Sequence, residues 1–93
     1  MRVYKNLVNL GVIVQTLGVK QSIPENDVYT ALERHSNGDW GEISDADKKA
    51  NNQALEFMEM LLSSYTSSNN VQFWIITEIS GYTTVLLPSE YKK

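Results

Sequence analysis

The single histidine of this 93-residue chain lies in the stretch His35-Ser36-Asn37-Gly38-Asp39-Trp40-Gly41, beside an acid and an indole. Imidazole changes charge near neutral pH, so His35 is the natural proton carrier. Asp39 could orient it if the turn folds back, and Arg34 could hold an anion. Glu78 is a second acid that could serve His35. One expectation is therefore a small hydrolase or nuclease using His35 with Asp39 or Glu78, provided these groups converge in a cleft. Local chemistry offers a simpler account. A histidine in the last turn of a helix favours that helix's negative end, and glycines permit left-handed backbone. Asp39 can bond nearby amides, and Trp40 can plug a core. The stretch is read first as a helix-stopping turn that seats Trp40 between helices and sheet.

Other chemistries find less support. One histidine with scattered acids is a poor zinc ligand set, so neither a metal nor a cofactor is expected. Ser63 and Ser64 lack the elbow motif of a serine nucleophile. Thr77, Thr83 and Thr84 read as cross-strand pairs. Phe73, Trp74 and Tyr82 could stack on single-stranded nucleic acid, a third functional class. The chain has 8 basic and 11 acidic residues and a net charge of −3, without basic residues among those aromatics. Nucleic acid is therefore not the expected partner. The remaining candidate binding residues are Arg34, Trp40, Trp74 and Tyr91.

The elements that must position these groups follow from pattern. Leu7 to Gln15 is β-rich, with Gly11 marking a bulge or a close backbone approach. Thr16-Leu17-Gly18 reads as a turn. Ser22-Ile23-Pro24-Glu25 begins a helix, with Ser22 as cap and Pro24 in the first turn. Val28, Ala31, Leu32 and His35 share one face of that helix, which Gly38 ends. Ser44, followed by Asp45 and Asp47, starts a second helix, with Ile43 placed as a hydrophobic staple. Its inward stripe is Ala46, Ala50, Asn51, Ala54 and Leu55, and it fades near Phe57 or Met58.

Leu61 to Thr66, Val71 to Ile79 and Tyr82 to Leu87 read as strands, joined by Ser67-Ser68-Asn69-Asn70 and by Ser80-Gly81. A two-residue turn at Ser80-Gly81 sets Ile79 opposite Tyr82, Thr77 opposite Thr84 and Ile75 opposite Leu86. Both faces of this hairpin are then apolar. Two helices can cover one face; the other needs the N-terminal strand or a second copy of the chain, which makes a homodimer the expected state. The whole is one α+β domain, residues 1–93: a small antiparallel sheet in the order β-α-α-β-β-β, with two helices mainly on one face.

The chain has no cysteine, so the fold does not depend on disulfides. No apolar run approaches the roughly 20 residues that span a bilayer. Met1 to Asn6 lacks a small-residue cleavage site. A cytoplasmic protein is expected. The basic pairs Lys48-Lys49 and Lys92-Lys93 read as solvated surface.

Arg34-His35-Ser36-Asn37-Gly38-Asp39-Trp40-Gly41 resembles the RHxxGDWG signature of a family of small bacterial proteins. They are often labelled plasmid-related, and sometimes type I restriction subunits. Further blocks agree in order. Asp45, with Asn51 or Asn52 and Ala54-Leu55, resembles its acidic-then-N..AL helix. Leu61-Leu62-Ser63-Ser64-Tyr65 is similar to LLSAY. Trp74-Ile75-Ile76-Thr77-Glu78 is similar to WIITE, and Thr83 through Tyr91 to TTVLLPxEY. Leu10-Gly11 and Thr16-Leu17-Gly18 resemble its LG…TPG start, with Leu17 where proline is usual. Met58 and Met60 stand where the family tends to have glycine and arginine.

The resemblance implies a protein of plasmids, integrated elements and chromosomes, and carries over no particular activity. The restriction label does not fit, since 93 residues hold neither the nucleotide-binding framework nor the glycine-rich turn of a methyltransferase. The expected function is a non-enzymatic accessory protein of mobile-element type that acts through protein contacts, including contacts that modulate a host system.

Overall fold

The computed structural model describes residues 7–57 and 59–91. The expectations for Met1–Asn6, Met58 and Lys92-Lys93 fall outside them. Strand β1 (Val12–Gln15) leads into helices α1 (Leu17–Ser22), α2 (Glu25–Ser36) and α3 (Asp45–Phe57). Strands β2 (Leu61–Thr66), β3 (Gln72–Thr77) and β4 (Tyr82–Leu86) follow, and a 3-10 turn spans Pro88–Glu90. The fold is α+β. Its four-stranded sheet runs β1-β4-β3-β2: the last three strands form an antiparallel meander, and β1 adds to β4 in parallel.

Several features depart from the pattern reading. Thr16-Leu17-Gly18 is the cap and first turn of α1 and not a free turn, so among the described residues three α-helices pack on the sheet. The Thr16 hydroxyl accepts the Val19 N–H at 3.2 Å, and its own proton goes to Glu90 Oε1 at 2.6 Å. The partner that completes this cap arrives from 74 residues away, beyond the reach of local pattern. Ser22, expected to cap α2, closes α1 instead, and Pro24 occupies the α2 N-cap. The second departure is β1, which joins the sheet edge and does not fold over a face. Gly11 makes this possible: at φ 61° its backbone lies so close to the Gly81 carbonyl that a Cβ would sit 2.1 Å from that oxygen.

The β3–β4 register also differs from expectation. Ile75 pairs with Val85, Thr77 with Thr83, Ile76 with Thr84 and Trp74 with Leu86. The loop has three residues, Ile79-Ser80-Gly81. Glu78 N–H reaches the Tyr82 carbonyl at 2.9 Å, and Gly81 takes the left-handed position at φ 95°. One extra loop residue moves every pairing by one and so reassigns faces.

Odd-numbered strand residues thus face the helices. Tyr65, Phe73, Ile75 and Val85 pack against Val19 and Ile23 of the α1 region and Val28, Ala31 and Leu32 of α2. A smaller cluster joins Val8, Trp40, Ala54 and Leu61, with Ile43 and Leu55 at its margin. The α3 stripe is narrower than expected. Asn51 and Ala54 are buried, whereas Ala46 and Ala50 are exposed, because only the second half of α3 lies over β2. Ser44 Oγ caps α3 as expected, accepting Asp47 N–H at 3.1 Å. Among the described residues, no α-helix lies over the even-numbered face of the sheet. Among the described residues, no helix is long and apolar enough to cross a membrane.

Candidate functional site

His35 sits in the last turn of α2, on the face that turns inward, and is fully buried. Its Nδ1 lies 2.5 Å from Ser63 Oγ on β2, and its Nε2 lies 2.9 Å from Thr77 Oγ1 on β3. Thr77 continues to Thr83 Oγ1 on β4 at 2.9 Å, and Thr83 reaches the Leu10 carbonyl at 2.6 Å. The proton positions follow from the end of this chain. A carbonyl only accepts, so Thr83 donates to Leu10. Thr77 must then donate to Thr83, which leaves its lone pair to His35. His35 is therefore the Nε2–H tautomer, and Nδ1 accepts from Ser63. Burial strips water from the imidazolium and lowers the His35 pKa to about 4. The ring is neutral at pH 7.

A serine hydroxyl on a histidine nitrogen is the pairing of a nucleophile with its base. Here Ser63 and His35 both have no exposed surface, so a substrate carbonyl has no approach. Among the described residues, no buried side-chain polar atom lacks a partner. The chain of hydroxyls satisfies a buried ring; it does not activate one.

Asp39 does not join His35. Its carboxylate takes a two-pronged bond from Arg34, Nε to Oδ2 at 2.7 Å and Nη2 to Oδ1 at 3.2 Å, and Oδ1 also accepts the Gly41 N–H. The Arg34 guanidinium holds the Asp39 carboxyl below the usual carboxylate range. The same guanidinium lies 4.8 Å over the Tyr65 ring, whose hydroxyl donates to the Asp39 carbonyl at 2.6 Å. Burial pushes the Tyr65 hydroxyl up to about 12.

Trp40 is buried, edge-on to His35 with ring centroids 5.5 Å apart, and donates Nε1–H to Asn52 Oδ1 at 3.0 Å. Gly38 and Gly41 both have positive φ. At Gly41 a Cβ would meet the Ser64 carbonyl at 2.1 Å, because the Trp40–Glu42 backbone pairs with the outer edge of β2.

The other candidates lie apart. Glu78 is exposed at the β3–β4 loop, where it accepts from Ser80 Oγ at 3.3 Å. Trp74 lies on the helix-free face, edge-on to Tyr91 with centroids 5.8 Å apart. Phe73 is buried beneath the helices, so Phe73, Trp74 and Tyr82 do not form one stacking platform.

Pattern reading missed the partners: Ser63, Thr77 and Thr83 for His35, Asn52 for Trp40, and Glu90 for Thr16. The available signal was strand alternation, which sets Ser63 and Thr77 on the same face as Tyr65 and Ile75. Asn51 carries a further structural bond set. Its buried amide brackets the Leu62 peptide, donating to the carbonyl at 2.6 Å and accepting the N–H at 3.3 Å.

No family model, curated protein or solved structure matches this chain.

Proposed function

We propose that this is a non-enzymatic interaction protein of the mobile-element type its motifs resemble, acting as a homodimer and through contact with a host protein. The observation that carries the reading is where its apolar surface lies. Val12, Ile13, Val14 and Leu17 expose 57, 45, 42 and 69% of their surface along one sheet edge. Exposed apolar side chains gathered in this way mark contact surfaces. The polar groups of the RHxxGDWG-like stretch, by contrast, are already paired: His35 to Ser63 and Thr77 and Trp40 to Asn52 within the fold, and Asp39 to Arg34 at its surface.

The test of the accessory role is affinity purification of the tagged chain from a bacterial lysate, followed by reconstitution with the purified candidate. One specific protein recovered in stoichiometric amount, and rebound when purified, is the expected result. Recovery of self-associated chain alone counts against it.

A further inference from the structure

The open edge of β1 has a hydrogen-bonding pattern that only a narrow set of partners can complete. The N–H groups of Val12 and Thr16 bond to the carbonyls of Gly81, just before β4, and of Val85 on β4, so the even-numbered residues from Val12 to Thr16 serve the sheet. The N–H and C=O groups of Ile13 and Gln15 therefore point away from the sheet, along a four-residue strand with no charge and no proline. Natural sheets protect such edges with charge, proline, bulges or a covering segment. The opposite edge of this sheet is covered in that way, by the Trp40–Glu42 backbone on β2. Nothing among the described residues pairs with the outer edge of β1. Among the described residues, 11 large apolar side chains are exposed, and four of them fall between Val12 and Leu17.

We infer that β1 pairs antiparallel with β1 of a second copy, about a two-fold axis through Val14, to form a continuous eight-stranded sheet. This deepens the dimer proposed above and rests on it. The register follows from the backbone. An axis at Ile13 would call on Gly11, whose φ is 61° and whose N–H is already bonded to Asn9 Oδ1 at 3.1 Å. An axis at Gln15 would call on Leu17, which is already helical. Centring on Val14 uses every free group of the strand: Ile13 and Gln15 of each copy exchange N–H···O=C bonds, four in all. A second copy fits better than a foreign strand because an identical sequence supplies this reciprocity. The edge also brings no charge to oppose the net −3 of each chain. Val14 and its counterpart meet as a non-hydrogen-bonded pair, Cα atoms about 4.5 Å apart, on the helix-free face.

The absence of cysteine makes the register directly readable. A Val14→Cys chain has a single thiol, placed within the Cα spacing a disulfide requires. Under mild oxidation it should convert to a covalent dimer, while Ile13→Cys and Gln15→Cys should not. Ile13→Pro removes an outward N–H from each copy, two of the four bonds, and leaves the β4 ladder intact. In sedimentation equilibrium it should raise the dimer dissociation constant about tenfold or more, with an unchanged circular dichroism spectrum confirming the fold. A native dimer in which Val14→Cys does not cross-link and Ile13→Pro has no effect overturns this interface but keeps the dimer. A native chain that stays monomeric at all concentrations, its edge left for a strand of another protein, overturns both.

Discussion

At His35 a titratable ring has been built into a core in its neutral form. Its ordinary pKa is 6.5, and burial lowers it to about 4 in the folded protein. The unfolded chain therefore takes up a proton as pH falls below 6.5, while the folded chain does not. Stability is full above pH 6.5 and is lost progressively down to about 4, by about 3 kcal/mol in total. Urea titrations between pH 7 and 4.5 should show this slope. The paired substitution His35→Gln with Ser63→Ala should be less stable at pH 7 but flat between pH 6.5 and 4.5. A second residue-scale contrast lies in the glycines. Gly41→Ala drives a Cβ into the Ser64 carbonyl and should cost about 3 kcal/mol or more in denaturant unfolding. Gly81→Ala, with nothing within 4 Å, meets only the strain of positive φ and should cost about 1 kcal/mol.

Among the elements, α1 is the least expected and the most dependent on the rest of the chain. Six residues are too few to hold a helix alone. What holds this one is the Val19 side chain in the core and a cap that runs Glu90 carboxylate, Thr16 hydroxyl, Val19 N–H. Glu90 also accepts the Leu87 N–H at 2.8 Å, which fixes the 3-10 turn, so one carboxylate joins the strand-to-helix corner to the C-terminal segment. Gly18 leaves room for it: a Cβ there would lie 2.7 Å from Glu90 Oε2. Thr16→Ala should lower stability by about 1 kcal/mol and speed hydrogen exchange at the Val19 amide while the β3–β4 amides stay protected.

Across the whole molecule, Trp40 joins what the sequence separates. It packs with Val8, Ala54 and Leu61, touches His35, and bonds to Asn52, linking the N-terminal segment, α2, α3 and β2. Trp40→Ala should therefore cost about 3–5 kcal/mol and lower the thermal midpoint of a single transition seen by both far-UV circular dichroism and tyrosine fluorescence. Separate transitions by the two probes would mean that the two clusters fold independently.

Much of this was legible in local pattern, and the reason is physical. The α2 face of Val28, Ala31, Leu32 and His35, the Ser44 cap and strand β2 rest on periodicity and on groups within a few residues of one another. The reading of the His35–Gly41 stretch as a turn likewise rests on caps and left-handed glycines. What local pattern could not supply was any bond that spans the chain. The partners of His35 lie 28 and 42 residues on, and that of Thr16 lies 74 on. The β3–β4 register turned on whether Gly81 closes a two- or a three-residue loop, a choice both geometries permit for the same letters. By itself the sequence determined the buried face of α2, most of the elements and the absence of thiol chemistry. Only the tertiary structure decided that the one histidine is a buried, neutral tie among three strands, and that the edge left unpaired among the described residues lies at β1. Both depend on which distant segments meet.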